Sequence, residues 1–422
     1  MNTFIILFCF CFCIMHSTSL NHFIVSNAIN NSNLSYPLTA SISEMLSSLT
    51  CKNSILLNFF FNNKTVYLES NTIQVLHHDV NIVGTFGSVF RFSPQQSIGK
   101  SSTVFSITTG AINLELFNLC IDPLLSRINL YQQCDLITAT DGGSVCITDL
   151  SVTSSAKIDV RFDIQSGCVF NATNLSLQTL SLPSCPLFTL GSPNVSFINC
   201  SIASVNAERS FPLFTDLCLN TSFMLSDTHF TRCVGDIYFK VTPPPDNLSH
   251  DASLVLENIT FLDCLHYTSA ISLFPSPSSI APVTIRECNF ASSTSQKSSL
   301  ITSDNWLHCS IDNCSFTNCS SSCIRITSFP SSLYSTPFSS SSSVTKCTFI
   351  NCSTLAFSAE DSLGNIVTLV SACPSEHPLV SECVFSSCAT QLNSHATYRY
   401  TTPAVAKEHS VYINETNIKD GD

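Results

Sequence analysis

From residue 55 onward, apolar positions come in short bursts of β-forming residues rather than at helical spacing. Segments 55–61, 66–68, 73–76, 80–83, 89–92, 104–107 and 112–116 are rich in Val, Ile, Leu and Phe and are separated by Asn, Ser and Gly. Runs of this kind between turn residues predict short strands. No stretch with a helical period separates them, which argues against alternating β/α units. Several strands in every thirty residues suit a coil whose rungs each give one strand to each of several parallel sheets. One helical pattern precedes the strands. Ile42, Met45, Leu46 and Leu49 share a face, and Ser41 with Glu44 forms a capping box. This short helix is expected to cover the open end of the coil, because stacked repeats need capped termini.

A phrase of Cys, any residue, Phe, two residues and Cys then recurs. It reads Cys314-Ser315-Phe316-Thr317-Asn318-Cys319, Cys347-Thr348-Phe349-Ile350-Asn351-Cys352 and Cys383-Val384-Phe385-Ser386-Ser387-Cys388. Phe290 keeps only the leading Cys288. Phe261, Phe230 and Phe197 keep only the trailing Cys264, Cys233 and Cys200, and Phe117 with Cys120 is an outlying copy. From Phe197 the anchors are 33, 31, 29, 26, 33 and 36 residues apart. Internal periods of this size mark a stacked-repeat architecture.

The chemistry of the phrase follows from strand geometry. Side chains alternate along a strand, so Cys314 and Phe316 point the same way, into the core. Cys319 would point outward on a continuing strand, and a turn at Thr317-Asn318 is needed to re-aim it. Asn suits that turn because it tolerates left-handed geometry. Asn199, Asn318 and Asn351 hold the slot, with Asp263, Arg232 and Ser387 in other copies. Stacked Asn side chains can also bond along the coil axis. The loops between anchors vary most, as at 243–247 and 328–343, and such loops commonly carry recognition in stacked coils.

Composition narrows the class. Hydrophobic residues make up 44% and charged residues only 11% of 422, which favours a large core over disorder. Ser alone supplies 70 positions, so polar surface is mostly hydroxyl. The net charge of −12 has no basic run behind it, which argues against nucleic acid and acidic membrane surfaces as partners.

Phe4 to Met15 is an unbroken apolar run of twelve residues, followed by small residues at Ser17 and Ser19. The run is short for a membrane span and reads as a secretion signal; an uncleaved N-terminal anchor is the alternative. Membrane attachment is expected only through such an anchor or through a C-terminal part outside this sequence. The expected organisation is a signal peptide at 1–19, leader and cap at 20–60, β-helix repeats at 61–390 and a polar tail or incomplete last rung at 391–422. Of 23 cysteines, 20 follow the signal. A secreted chain invites disulfides, yet Cys is also a small buried hydrophobe. A mixture is expected, mostly buried thiols with some bridges. No pair of CxxC knuckles appears, and neither a metal nor a cofactor is expected.

The phrases Phe197-Ile198-Asn199-Cys200, Phe316-Thr317-Asn318-Cys319 and Phe349-Ile350-Asn351-Cys352, with the opening strands at 80–84, 104–107 and 114–119, resemble the right-handed parallel β-helix (pectin-lyase-like) superfold. More narrowly they look like polymorphic outer-membrane-protein type repeats, found in bacterial surface proteins and in secreted or surface proteins of anaerobic protists. The resemblance implies an all-β, right-handed parallel β-helix and a secreted or cell-surface location. The chain departs from the bacterial family in lacking its Gly-Gly-Ala-Ile partner motif.

The resemblance also brings in enzymes that act on acidic polysaccharides. Their Asn-Thr-Asp, Asp-Asp and Gly-His-Gly signatures are missing here. Asp135, Asp141, Asp149, Asp159 and Asp163 lie near one another in sequence, with Arg161 among them, and read more simply as turn and solvent-facing residues. His77-His78-Asp79, His229 and the single Trp306 read as surface or core filler, and no Gly-x-Ser-x-Gly elbow supports a serine nucleophile. Fourteen Asn-x-Ser/Thr sequons occur. Asn63, Asn171, Asn174, Asn194, Asn220, Asn247, Asn258 and Asn414 are the expected glycosylation sites. The function expected is structural or adhesive, toward an extracellular glycan or protein. The alternatives are a polysaccharide lyase or hydrolase with a diverged site, and a fragment of a larger surface receptor.

Overall fold

In a computed structural model the chain divides into two compact units, Met1–Ser192 and Pro193–Asp422. Each is an all-β parallel β-solenoid. The described residues are strand segments between His22 and Pro123, most of 133–353, and 367–371, 379–388, 396–401 and 409–413; side-chain surroundings are described chiefly within 135–388. The helix expected at 41–49 and the signal at 1–19 lie outside the described residues.

In the first unit His22–Ser26, Leu56–Phe61, Asp79–Gly84, Asn113–Pro123, Ser144–Thr153 and Val169–Thr173 pair in parallel, each with the next. The leader, expected to be loose, therefore carries a strand. A second parallel series runs through Ile73–Val75, Ser102–Ile107, Gln133–Ala139, Asp159–Ile164 and Phe188–Leu190. Its core is built from columns such as Leu116 with Ile147 and Ala172, all in register and buried.

In the second unit every rung begins with two short arcs. The first arcs are Asn194–Ile198, Ser222–Ser226, Ser253–Glu257, Val283–Arg286, Cys309–Asp312, Ser343–Thr345 and Leu379–Ser381. The second arcs are Ser201–Ala203, His229–Thr231, Thr260–Leu262, Asn289–Ala291, Ser315–Thr317, Thr348–Ile350 and Val384–Ser386. A further parallel sheet follows from Pro212–Thr215 through Asp236–Thr242, Ile271–Phe274, Ile301–Asp304 and Ile324–Ser328 to Val367–Ser371. Ala396–Thr401 extends that sheet in parallel, and His409–Ile413 turns back antiparallel on it. The segment expected as a polar tail or incomplete last rung thus supplies strands.

Two sharp corners per rung make the arcs possible. Asn258, Glu287, Asn313, Lys346 and Glu382 close the first arcs with φ of 50–56°, and Asp263, Ser292, Asn318, Asn351 and Ser387 close the second with φ of 50–54°. A single left-handed residue reverses the inside–outside alternation, so the next side chain enters the core. This is the turn expected at Asn318. Corner N–H groups remain bonded: Asn313 N–H donates to Thr345 O at 2.9 Å and Lys346 N–H to Ser381 O at 3.0 Å.

The second arcs place Phe230, Phe261, Phe290, Phe316, Phe349 and Phe385 in one register column. Successive ring centroids are 4.6–5.0 Å apart and planes lie within 10° of parallel. The strand spacing of about 4.8 Å sets this distance. Burial of each ring contributes about 2–3 kcal/mol before any stacking term. Phe197 and Cys200 are also buried, but they belong one arc earlier: Phe197 pairs with Leu225, and Ile202 is the partner of Phe230.

Candidate binding face

Parallel, in-register rungs repeat each outward side chain about every 4.8 Å. On the second unit this produces columns of hydroxyl and amide groups. Thr260, Asn289, Ser315 and Thr348 form one; Thr284, Ser310 and Ser343 form another. Hydrogen bonds run along them. Ser315 Oγ donates to Asn289 Oδ1 at 2.9 Å and Ser343 Oγ to Ser310 Oγ at 3.3 Å, and outside these two columns the register pair Ser222 and Ser253 shares one at 3.5 Å. Such bonding fixes rotamers that would otherwise be free in water, so the groups are ordered before any ligand arrives.

A charged column lies between the hydroxyl columns, beside the exposed corner residues Glu287, Lys346 and Glu382. Glu257, Arg286 and Asp312 come from three consecutive rungs in register. Arg286 Nη2 lies 2.7 Å from Glu257 Oε2, and Thr345 Oγ1 donates to Asp312 Oδ1 at 2.5 Å. Corner side chains continue the axial bonding. Asn258 donates to Asp227 at 2.6 Å and Asn351 to Asn318 at 3.3 Å, the Asn–Asn bond expected for stacked corners. Leu262 and Ile350 add apolar spots, 39% and 38% exposed.

The carboxylates grouped in the sequence do not form a site among the described residues. Asp163 is buried beside Arg161 on the same strand, with an ion pair of 3.0 Å and Gln165 Nε2 at 3.5 Å. Asp149 sits at a left-handed corner and accepts from Asn174 at 2.7 Å. Side chains of Asp135, Asp159 and Asp79, and all of Asp141, His77, His78 and Trp306, lie outside the described residues. His229 is exposed at the start of its strand. No group of three or more His, Cys, Asp or Glu among the described residues is arranged to hold a metal ion.

Of the glycosylation candidates, Asn194 is exposed, Asn171 is half-buried against Cys146, and Asn174 and Asn258 are exposed corner residues. Asn63, Asn220, Asn247 and Asn414 lie outside the described residues. The repeat anchors Cys200, Cys233, Cys264, Cys288, Cys314, Cys319, Cys347, Cys352, Cys383 and Cys388 all enter the core, and the cysteines whose side chains are described form no disulfide. Their sulfurs contact strand carbonyls of the preceding rung: Cys233 reaches Ile202 O at 3.1 Å, Cys264 Phe230 O at 3.4 Å and Cys352 Phe316 O at 3.3 Å. Ser293 and Thr228 occupy equivalent corners and donate likewise. The position selects a small side chain with a donor.

Sequence reasoning missed a buried polar tract at the other side of each rung. Asp236 accepts the N–H groups of Tyr267 and Thr268, both at 2.9 Å, and burial raises its carboxyl to about 6. His266 Nδ1 donates to Gly235 O at 2.6 Å; its Nε2 has no partner, and burial lowers the ring to about 4. Ser269 and Thr302 share a bond of 2.7 Å, and Ser299 donates to Ser322 at 3.0 Å. Ser residues this frequent carry no pattern that marks these few as internal.

No family model matches the chain, and no curated protein matches it. Among solved structures it matches the catalytic domain of a GH87 α-1,3-glucanase in complex with nigerose, at 10% identity and a TM-score of 0.32. The match covers 80% of this chain and 66% of that one, and it bears on fold alone.

Proposed function

We propose that this chain is a secreted or cell-surface structural and adhesive protein that binds an extended, uncharged glycan along the hydroxyl columns of its second unit. The observation that carries this reading is the ordered ladder of Thr260, Asn289, Ser315 and Thr348, joined by the 2.9 Å bond from Ser315 to Asn289. A repeating polymer can meet a repeating array with one contact per rung, so weak single contacts add up along the axis. Neutral hydroxyl and amide groups match sugar hydroxyls without the desolvation cost that charged groups carry.

A polysaccharide-cleaving function is the second reading, favoured by the column of Glu257, Arg286 and Asp312. Their backbones span two rung spacings, about 9–10 Å, at the upper end of the separation inverting glycosidases use. Arg286 occupies the interval between the carboxylates and is already paired with Glu257. That pairing holds a cation where an inverting mechanism places its water, which makes this reading second.

The test is binding of the purified chain to neutral glycan arrays and insoluble polysaccharides, beside the variant Asn289→Ala/Ser315→Ala/Thr348→Ala. At least a tenfold loss of binding in the variant is expected. Binding that survives those substitutions, or release of reducing sugar that disappears in Glu257→Gln, would replace the adhesive reading with the other.

A further inference from the structure

The corner cysteines of the second unit form two continuous columns. Cys288, Cys314, Cys347 and Cys383 follow the first corner of four consecutive rungs; Cys319, Cys352 and Cys388 follow the second corner of three, with Cys233 and Cys264 lower in the same column. Backbone bonds lock this stacking, as in Thr348 N–H to Cys314 O and Val384 N–H to Cys347 O, both 2.9 Å. Each thiol is turned back along the axis. Cys314 reaches Ile285 O, Cys347 Ile311 O and Cys383 Val344 O, at 3.8, 3.9 and 3.6 Å, and each of those carbonyls lies three residues before the preceding cysteine. The same ladder bonds set neighbouring thiols on adjacent rungs: Cys314 beside Cys288 and Cys347, Cys347 beside Cys383, Cys352 beside Cys388, and Cys233 beside Cys264. Cys323 is a buried thiol four residues after Cys319 on the same rung.

Rung spacing of about 4.8 Å falls inside the Cα separation that a disulfide spans, about 4.4–6.8 Å. The cysteine carbonyls stay in the ladder, so closure has to come from side-chain torsions alone.

We propose that the second unit carries five preformed pairing sites, Cys233–Cys264, Cys288–Cys314, Cys347–Cys383, Cys352–Cys388 and Cys319–Cys323, which close when the chain folds with a low-molecular-weight disulfide present. Parity selects this set. Pairing Cys314 with Cys347 strands Cys288 and Cys383, and pairing Cys319 with Cys352 strands Cys323 and Cys388. Thiol exchange runs toward the set that leaves no column thiol unpaired.

For each site, one cysteine thiolate attacks a sulfur of the small disulfide and displaces one small thiolate. The neighbouring cysteine thiolate then attacks the protein sulfur of that mixed disulfide and displaces the second. The two protein protons pass to the departing thiolates, so two protein thiols and one small disulfide become one protein disulfide and two small thiols. Burial pushes Cys323 well up from its ordinary value, whereas thiols directed at Cys319 pull it down. Neighbouring thiols and burial raise Cys264, Cys314, Cys347, Cys383 and Cys388 in the folded chain, so closure at those sites belongs to folding, when the corners are still open to solvent.

The test is mass-spectrometric linkage mapping after refolding in glutathione redox buffer at mildly alkaline pH, then alkylation of free thiols under denaturing conditions. The same mapping on chain purified natively from an oxidising host covers the case in which refolding fails. Five linked peptide pairs are expected, with Cys309 and Cys168 alkylated. Cys314→Ser is expected to free Cys288 and leave Cys347–Cys383 intact. Full alkylation of all ten cysteines in β-rich protein, or links that join the two columns, would overturn the proposal.

Discussion

Phe316 lies on Phe349 with ring centroids 5.0 Å apart and planes 7° from parallel, although 33 residues separate them in the chain. Neither ring has a local partner; each owes its place to the registers Phe316↔Phe349 and Phe349↔Phe385. The column is therefore where long-range order and hydrophobic burial coincide.

Truncating a middle ring should be costly. Phe316→Ala opens a ring-sized void bounded by Phe290 and Phe349, and about 3–5 kcal/mol of destabilisation is expected by chemical denaturation. Phe349→Ala is expected to cost a similar amount. The double variant should fall short of the sum by about 1 kcal/mol, because the stacked pair is lost only once. Additive losses would mean that the stack contributes nothing beyond burial.

Corner chemistry can be tested with the residues least suited to it. Lys346, Glu287 and Glu382 hold φ of 53–56°, a conformation that Asn or Gly adopts more readily. Lys346→Asn is expected to raise stability by about 0.5–1 kcal/mol. The reverse change at Asn318, to Ala, should lower it by about 1 kcal/mol and break the 3.3 Å bond from Asn351. Thermal melts of the three chains decide it: a destabilised Lys346→Asn contradicts the corner account.

The corner thiols should tolerate Ser better than Ala. Cys352 donates to Phe316 O at 3.3 Å from a fully buried position, and Ser293 makes the corresponding bond naturally at 3.3 Å. In reduced protein, Cys352→Ser is expected to cost less than about 1 kcal/mol and Cys352→Ala about 1–2 kcal/mol, since Ala loses the contact with the carbonyl and leaves a small void. Equal costs for both would show that sulfur acts there as volume alone.

Much of this was readable from residue order, and the part that was not has a physical cause. Phe230 to Phe385 and their trailing cysteines declared the second corner, because a buried aromatic, a left-handed residue and a small donor must follow one another there. The first corner uses the same grammar, as Val283–Arg286, Glu287 and Cys288 illustrate. Phe197-Ile198-Asn199-Cys200 therefore imitates the second-arc phrase while lying on the first. Strand register, which pairs Phe197 with Leu225, separates the two. The column of Glu257, Arg286 and Asp312 was equally hidden, since 29 and 26 residues separate its members. Strands His22–Ser26 and Ala396–Thr401 escaped notice because neither segment repeats the anchor phrase.

The buried tract makes opposing contributions to stability as pH changes. Asp236 is raised from 3.8 to about 6 by burial, so the folded chain holds a proton in that window that the unfolded chain has lost. Its contribution is fully present below 3.8 and disappears as pH rises through about 6. His266 is lowered from 6.5 to about 4, also by burial, so the unfolded chain takes up its proton first. The stability from its neutral ring is present above 6.5 and disappears as pH falls through about 4. Between about 4 and 6 the two slopes cancel in the native chain. His266→Gln removes one of them, and its stability relative to wild type is expected to gain about 3 kcal/mol on moving from neutral pH to about 4. Asp236→Asn should lose a comparable amount over the same range. Denaturation curves at several pH values read both differences directly; parallel profiles for all three chains would mean that neither group titrates differently on folding.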